Sequence, residues 1–182
     1  MSVTLEHETY HIELKDAITV TDAAIDAVYE PDADKTFKPS SSTIVTVFEN
    51  EQKKAAVLLQ AAGGATSVSE DSILIIGDQL ITRCSNYLFG LSIPELKLNW
   101  LIKADDATCF SLLPFEDDLI VHGEVSISRI DTSGHIVWQF TGHDIFLSLD
   151  GTSTFDMYPD FIELTDFNGH RYQLDYNGQQ IG

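Results

Sequence analysis

Residues 7–11 read HETYH and match a zinc-protease signature, in which two histidines and a glutamate share one face of a helix. The surrounding pattern does not favour a helix, because Ile12 and Leu14 alternate with polar residues as in a half-buried strand. Within one strand, His7 and His11 would lie about 13 Å apart, too far to share one zinc ion. The sequence therefore predicts a strand here and no metal site.

The other histidines and the cysteines also have simple structural interpretations. His122 falls at an inner position of a predicted strand, where a buried structural histidine is expected. His135 and His170 each follow a turn glycine, which predicts exposure to solvent. Cys84 and Cys109 lie in strand patterns without CxxC spacing, so we expect buried, reduced thiols.

Other catalytic signatures are missing from the sequence. It contains no P-loop, GxSxG elbow or GxGxxG fingerprint. We therefore assign no cofactor and no cofactor-binding or metal-binding residue. Catalytic residues stay unknown, and we favour a protein that is not an enzyme.

Carboxylates are abundant, and most of their clusters fall at predicted turns, where aspartate hydrogen-bonds the local backbone. None of the clusters has the spacing of an EF-hand calcium loop. Turn chemistry is therefore favoured over metal binding. The clusters lie at Asp32–Asp34, Glu70-Asp71, Asp105-Asp106, Glu116–Asp118 and Asp144–Asp156.

The balance of charge is the most unusual property of the chain. Ten Lys and Arg residues stand against 29 Asp and Glu residues, giving a net charge of -19 over 182 residues. Nucleic acids and anionic membrane surfaces attract basic patches, so we expect neither as a partner. A basic protein partner fits the charge better.

The start of the chain bears on localisation. Its first residues lack the basic and apolar regions of a signal peptide, and no apolar run is long enough to cross a bilayer. Together with the two cysteines, this predicts a cytoplasmic protein.

Period-two alternation and β-branched or aromatic runs recur along the whole chain, separated by turn signals such as Asn-Gly. The sequence therefore predicts an all-β fold. One short helix is predicted at Thr21–Val28 with Thr21 as its N-cap, followed by a loop from Glu30 to Ser42. The predicted strands are Tyr10–Leu14, Thr43–Phe48, Lys54–Gln60, Ser72–Ile76, Gln79–Cys84, Tyr87–Ser92, Leu98–Lys103, Thr108–Leu112, Leu119–His122, Ser126–Ile130, Ile136–Phe140, Ile145–Ser148, Phe161–Leu164 and Arg171–Asp175.

The pattern of strands and turns repeats roughly every 40 residues between residues 72 and 181. Trp100 and Trp138 fall at matching places in successive units, and we expect both to be mostly buried. A repeat of this length in an all-β chain indicates propeller-type sheets.

The best-defined unit reads IDTSGHIVW at residues 130–138. It resembles the turn and outer strand of the pyrroloquinoline-quinone-type β-propeller repeat, in which an Asp opens the turn, a Gly closes it and a Trp packs between blades. Asp131, Gly134 and Trp138 match those three positions, whereas the unit ending at Trp100 keeps only the Trp. The resemblance covers about residues 72–181 and implies a propeller scaffold. It carries no cofactor-binding residue.

We predict one domain over residues 1–182, with N-terminal strands, helix and loop in residues 1–65 and three β repeats in residues 72–181. Two arrangements of its three to four short antiparallel sheets remain open. The N-terminal strands complete a minimal four-bladed propeller, or they cover one edge of an open, curved array.

Two functions are consistent with these observations. The first is a non-enzymatic interaction domain that uses its acidic surface to neutralise a basic protein, such as a toxin. The second is a hydrolase whose site combines loop carboxylates with a histidine such as His122. The oligomeric state stays open.

Overall fold

The computed structural model describes residues 1–17, 24–31 and 38–182. Its described residues form sixteen short strands and a single turn of 3-10 helix, Glu70–Ser72. The predicted all-β fold is confirmed. No helix in the described ranges has the length and apolar character needed to cross a membrane.

The first sheet has five strands in the order β1-β2-β4-β5-β3. All its neighbouring strands run antiparallel except β3, which pairs in parallel with β5. The strands are β1 (Ser2–His7), β2 (Tyr10–Asp16), β3 (Ala27–Tyr29), β4 (Ser41–Glu49) and β5 (Gln52–Ala61).

The other three sheets are antiparallel meanders whose strands follow chain order. The second sheet contains β6 (Ile73–Ile76), β7 (Gln79–Cys84), β8 (Tyr87–Ser92) and β9 (Leu98–Lys103). The third contains β10 (Cys109–Phe115), β11 (Asp118–Gly123), β12 (Ser126–Ile130) and β13 (Ile136–Thr141). The fourth contains β14 (Phe155–Met157), β15 (Ile162–Thr165) and β16 (Arg171–Leu174).

The sheets stack face to face because their middle strands are apolar on both sides. In β7, Leu80 packs toward the first sheet and its neighbour Ile81 toward the third. In β11, Leu119 faces the second sheet and Ile120 the fourth. These alternating side chains form three cores, one between each successive pair of sheets.

Among the described residues, no core cluster joins the fourth sheet to the first. The four sheets therefore form an open, propeller-like array, the second of the two arrangements that the sequence left open.

Three sequence predictions fail locally. The helix predicted at Thr21–Val28 is wrong where it can be checked, since Ala27 and Val28 belong to β3, while residues 21–23 lie outside the described residues. The strand predicted at Ile145–Ser148 is irregular chain between β13 and β14. The loop predicted at Glu30–Ser42 ends early, because β4 begins at Ser41, while its residues 32–37 lie outside the described residues.

Both tryptophans bridge neighbouring sheets in the same way. The Trp100 indole N–H donates to the carbonyl of Thr132 over 2.9 Å, and that of Trp138 donates to the carbonyl of Tyr176 over 3.0 Å. Each ring also lies against a turn glycine, Trp100 on Gly134 and Trp138 on Gly178. The predicted equivalence of the two residues holds, but both are half-buried rather than mostly buried.

The turns that receive the tryptophans share one hydrogen-bond pattern. The Oδ1 atom of Asp131 accepts from the backbone N–H groups of Ser133 and His135, each over 2.9 Å. Asp175 accepts in the same way from Asn177 and Gln179. These hydrogen bonds hold the turn carbonyl in position to accept from the indole N–H, and hold the turn glycine against the indole ring.

The buried side chain of Asp105 also links the second and third sheets through hydrogen bonds. The Oδ1 atom of Asp105 accepts from the N–H groups of Ala107 and Thr108, at 2.7 and 3.0 Å. Its Oδ2 atom accepts from the N–H groups of Val125 and Ser126 and from the Ser126 hydroxyl, at 3.1, 2.9 and 2.9 Å. The negative charge is therefore fully hydrogen-bonded inside the protein.

We expect Gly134→Ala to destabilise the protein more than Gly169→Ala. Both glycines close an aspartate turn with positive φ, +82° and +85°, so alanine meets about 1–2 kcal/mol of backbone strain at either site. At Gly134 the new Cβ would also lie 2.6 Å from the Trp100 ring, whereas at Gly169 no atom of the described residues lies within 4 Å. The extra overpacking should cost about 1–3 kcal/mol.

Urea unfolding of the two variants measures the difference directly. Equal losses of unfolding free energy in the two variants would show that the tryptophan contact does not constrain the turn.

Candidate functional site

One edge of the array carries turns from all four sheets, and each of these turns includes a carboxylate; we call this the acidic edge. The remaining hairpin turns, such as the one between β15 and β16, lie at the opposite edge. The turn of the first hairpin meets that of β6 and β7, since ligand atoms of His7, Glu8 and Asp78 lie within 4.8 Å of one another. The third and fourth sheets meet at the same edge through Trp138 and Tyr176. The carboxylates of the acidic edge are those of Glu8, Glu51, Asp78, Glu95, Glu116, Asp117, Asp131, Asp160 and Asp175.

Arg129 is a partly buried cation at this edge, and carboxylates already neutralise it. Its Nε–H donates to Asp118 over 2.6 Å, and Glu116 lies 3.5 Å from the same guanidinium. The guanidinium also lies over the ring of Phe115, 4.7 Å from its centroid. By contrast, Asp78, Glu95 and Asp117 are exposed, and no ion pair is found for them among the described residues.

The HETYH segment is neither the helix of a zinc protease nor one continuous strand. His7 ends β1, Tyr10 begins β2, and the two residues pair across a tight turn. His11 turns away and contacts the Glu6 carboxylate over 2.7 Å. The helical zinc motif is therefore excluded, although the predicted single strand is in fact a hairpin.

His122 lies between aromatic rings rather than beside loop carboxylates. Its ring stacks on Phe155 with centroids 4.9 Å apart and meets Phe110 edge-on at 5.3 Å. Its Nε2 atom is buried, and none of the described residues gives it a hydrogen-bond partner. Burial lowers its pKa to about 4, so the imidazole is neutral at physiological pH.

The two cysteines are free and buried, as predicted. Burial raises the pKa of Cys84 to about 11 and raises that of Cys109 as well. Both side chains are therefore thiols rather than thiolates at neutral pH, and neither is an activated nucleophile.

A second group of polar side chains lies at the opposite edge of the array. There the turn between β15 and β16 brings Asp166 and His170 beside His143, and one ligand atom of each lies within 4.8 Å of the others. The two imidazole centroids are 5.4 Å apart. The Tyr172 hydroxyl donates to Asp166 Oδ2 over 2.7 Å and contacts His143 Nδ1 at 2.9 Å.

Sequence reasoning missed this group. It correctly predicted that His170 follows a turn glycine and is exposed. It could not place His143, which comes from the irregular chain after β13 and reaches the site only because the third and fourth sheets pack together. The turn sequence Asp-Phe-Asn-Gly-His at residues 166–170 was the one available signal.

The comparisons with known proteins inform the fold only. No family model and no curated protein matches the chain. Among solved structures it is similar to BamB from Moraxella catarrhalis, with a TM-score of 0.54 and 19% identity over 78% of this chain and 44% of BamB. The chain thus spans less than half the length of BamB, whose fold is of the β-propeller type.

A computationally designed protein, Ika4, is also similar, with a TM-score of 0.51 and 10% identity over 85% of this chain and 92% of Ika4. At such identities the likeness is one of fold. The chain has a propeller-like scaffold.

We expect the neutral His122 to make folding stability depend on pH. Its folded pKa of about 4 lies below the ordinary value of 6.5, so the unfolded chain takes up a proton first as the pH falls. Stability is therefore lost as the pH falls from about 6.5 to about 4, by on the order of 3 kcal/mol for this residue.

Replacing His122 with Phe should remove that contribution, while His135→Ala, at an exposed site, should keep it. Denaturant unfolding of each variant and the parent at pH 7.5 and pH 4.5 gives the comparison. Identical pH profiles for the parent and His122→Phe would contradict the buried neutral state.

Proposed function

We propose that this chain is a non-enzymatic interaction domain that binds a basic protein partner through its acidic edge. The observation that carries the proposal is the recurrence of carboxylates in the turns that all four sheets place on this edge. A toxin that the domain neutralises is one partner of this kind. The partner's charge would complement a domain with a net charge of -19.

The rigidity of the turns supports this proposal. Asp131 and Asp175 hydrogen-bond their own turns and hold the backbone in place. Neighbouring carboxylates such as Asp78, Glu95 and Asp117 are free to meet cations from outside. Binding would then require little ordering of the acidic surface, which favours affinity.

Long-range attraction would act mainly on the rate of encounter. Carboxylates outnumber cations such as Lys97 at this edge, so its net negative charge would raise the local concentration of a basic partner and speed association. At this edge Arg129 is neutralised by Asp118 and Glu116, so it does not oppose the field.

The proposal also covers the type of repeat from which the scaffold is built. We infer that the second to fourth sheets are repeats of the pyrroloquinoline-quinone type, used without a quinone, in a cytoplasmic protein. The support is the Asp–Gly turn of residues 131–134 and 175–178, together with the tryptophans that dock on both turns. The hydrolase alternative gains no support from His122, whose ring lies between two phenylalanines.

Charge reversal on the two edges tests the function. One variant carries Lys at Asp78, Glu95 and Asp117 on the acidic edge. A matched control carries Lys at Glu70, Asp106 and Glu124, which lie toward the opposite edge. Both triples change the net charge by the same amount, so any difference between them reports location.

The protein serves as bait to isolate a partner from native lysate at low salt, and association rates are then measured by surface plasmon resonance. We expect the acidic-edge variant to associate on the order of tenfold more slowly, and the control variant to associate nearly as fast as the parent. The parent rate should fall from 0.1 M to 1 M salt, as the Debye length shortens from about 10 Å to about 3 Å. Equal rates for the two variants, or a rate indifferent to salt, would sink the proposal.

A further inference from the structure

We propose that His143, Asp166 and His170 form a binding site for a divalent transition-metal ion, with zinc as the best-suited metal. This site is separate from the acidic edge, and neither proposal depends on the other. Two imidazoles and a carboxylate are ligands that zinc takes in proteins with three protein ligands. The three residues come from two segments of chain that meet only in the folded protein.

The carboxylate of the site is already held in position. The side chain of Asp166 is fully buried, at 0% exposure. Its Oδ1 atom accepts from the N–H groups of Asn168 and His170, at 3.0 and 2.9 Å. Oδ2 is thereby aimed at the imidazoles, with His170 Nδ1 at 3.1 Å.

The two histidines can close around an ion with small rotations. Their ligand atoms and that of Asp166 lie within 4.8 Å of one another, and zinc bonds of about 2.0–2.2 Å place ligand atoms about 3–4 Å apart. Both imidazoles are exposed, so their side chains can turn without disturbing the core. Three protein ligands also leave a position open for water or for a group from another molecule.

Tyr172 supplies the outer support that such sites usually have. The buried tyrosine donates its hydroxyl proton to Asp166 Oδ2 over 2.7 Å. The same hydroxyl accepts the backbone N–H of His143 over 2.9 Å, which ties the two segments of the site together. Outer partners of this kind orient the ligands of a metal and strengthen its binding.

A second turn of the same type shows which feature distinguishes the proposed metal site. Asp131 and His135 repeat the turn of Asp166 and His170, including an imidazole Nδ1 atom 3.3 Å from the carboxylate. Yet of the described residues, no third ligand joins that pair, whereas His143 joins the pair in the fourth sheet. The aspartate turn by itself therefore explains the histidine–aspartate contact but not the position of His143.

The other triad that the fold brings together is weaker. His7, Glu8 and Asp78 also lie within 4.8 Å of one another. Both carboxylates there are exposed, and neither has a hydrogen bond that orients it among the described residues. We therefore do not propose this triad as a second metal site, and use it as a comparison for the first.

Titration calorimetry with zinc chloride on the full, chelator-treated chain tests the proposal. We expect one equivalent to bind, and the unfolding temperature to rise with zinc. His143→Ala and His170→Ala should each lose at least about 100-fold in affinity, and Tyr172→Phe about 10–100-fold. His135→Ala and His7→Ala are the matched controls and should bind as the parent does.

His143 is exposed, so its alanine variant should fold, and its unfolding temperature without zinc confirms this. The proposal is overturned if the parent binds no zinc at micromolar concentration. It is equally overturned if His143→Ala binds like the parent, or if His135→Ala loses binding to the same extent.

Discussion

The docking of a tryptophan onto the aspartate turn of the next sheet is the interaction that orders the second, third and fourth sheets. An open stack has no ring closure to fix the angle between sheets, so each interface must fix its own. Apolar cores favour burial but allow sliding, because the hydrophobic effect has no direction. The indole N–H bonds of Trp100 and Trp138 add direction, and Gly134 and Gly178 permit the close approach.

The alignment of neighbouring sheets determines which polar side chains come close to one another. Once successive sheets are aligned turn to turn, alternate turns of each meander fall on one edge, and the remaining turns and the connections between sheets fall on the other. Asp105 reinforces the alignment between the second and third sheets from the connection side. The carboxylates of the acidic edge and the group of His143, Asp166 and His170 thus owe their separation to the same geometry.

The sequence predicted the strands and turns that depend on local residue patterns, and it missed the features that depend on contacts between distant parts of the chain. Alternation and turn residues located most strands of the three meanders, and the spacing of Trp100 and Trp138 predicted their shared role. The parallel strand Ala27–Tyr29 was mistaken for helix, because its pattern is short and its partner β5 lies about 30 residues away. His143 carries no local signal either, since only the packing of two sheets brings it to Asp166.

The structure also divides the many carboxylates into two kinds with different physical roles. Asp105, Asp131 and Asp166 accept backbone N–H bonds, so their charges are used within the protein. Burial raises the pKa of Asp131 and Asp166, but hydrogen bonds outweigh it and lower the pKa overall: those of the turn in Asp131, and those of the Tyr172 hydroxyl and the turn in Asp166. Both charges therefore stabilise the fold at neutral pH, and that support is lost in acid. The exposed carboxylates of Asp78, Glu95 and Asp117 accept no such hydrogen bonds from the described residues. With a net charge of -19 the self-repulsion of the chain is a cost to stability, and the basic partner proposed for the acidic edge would relieve it.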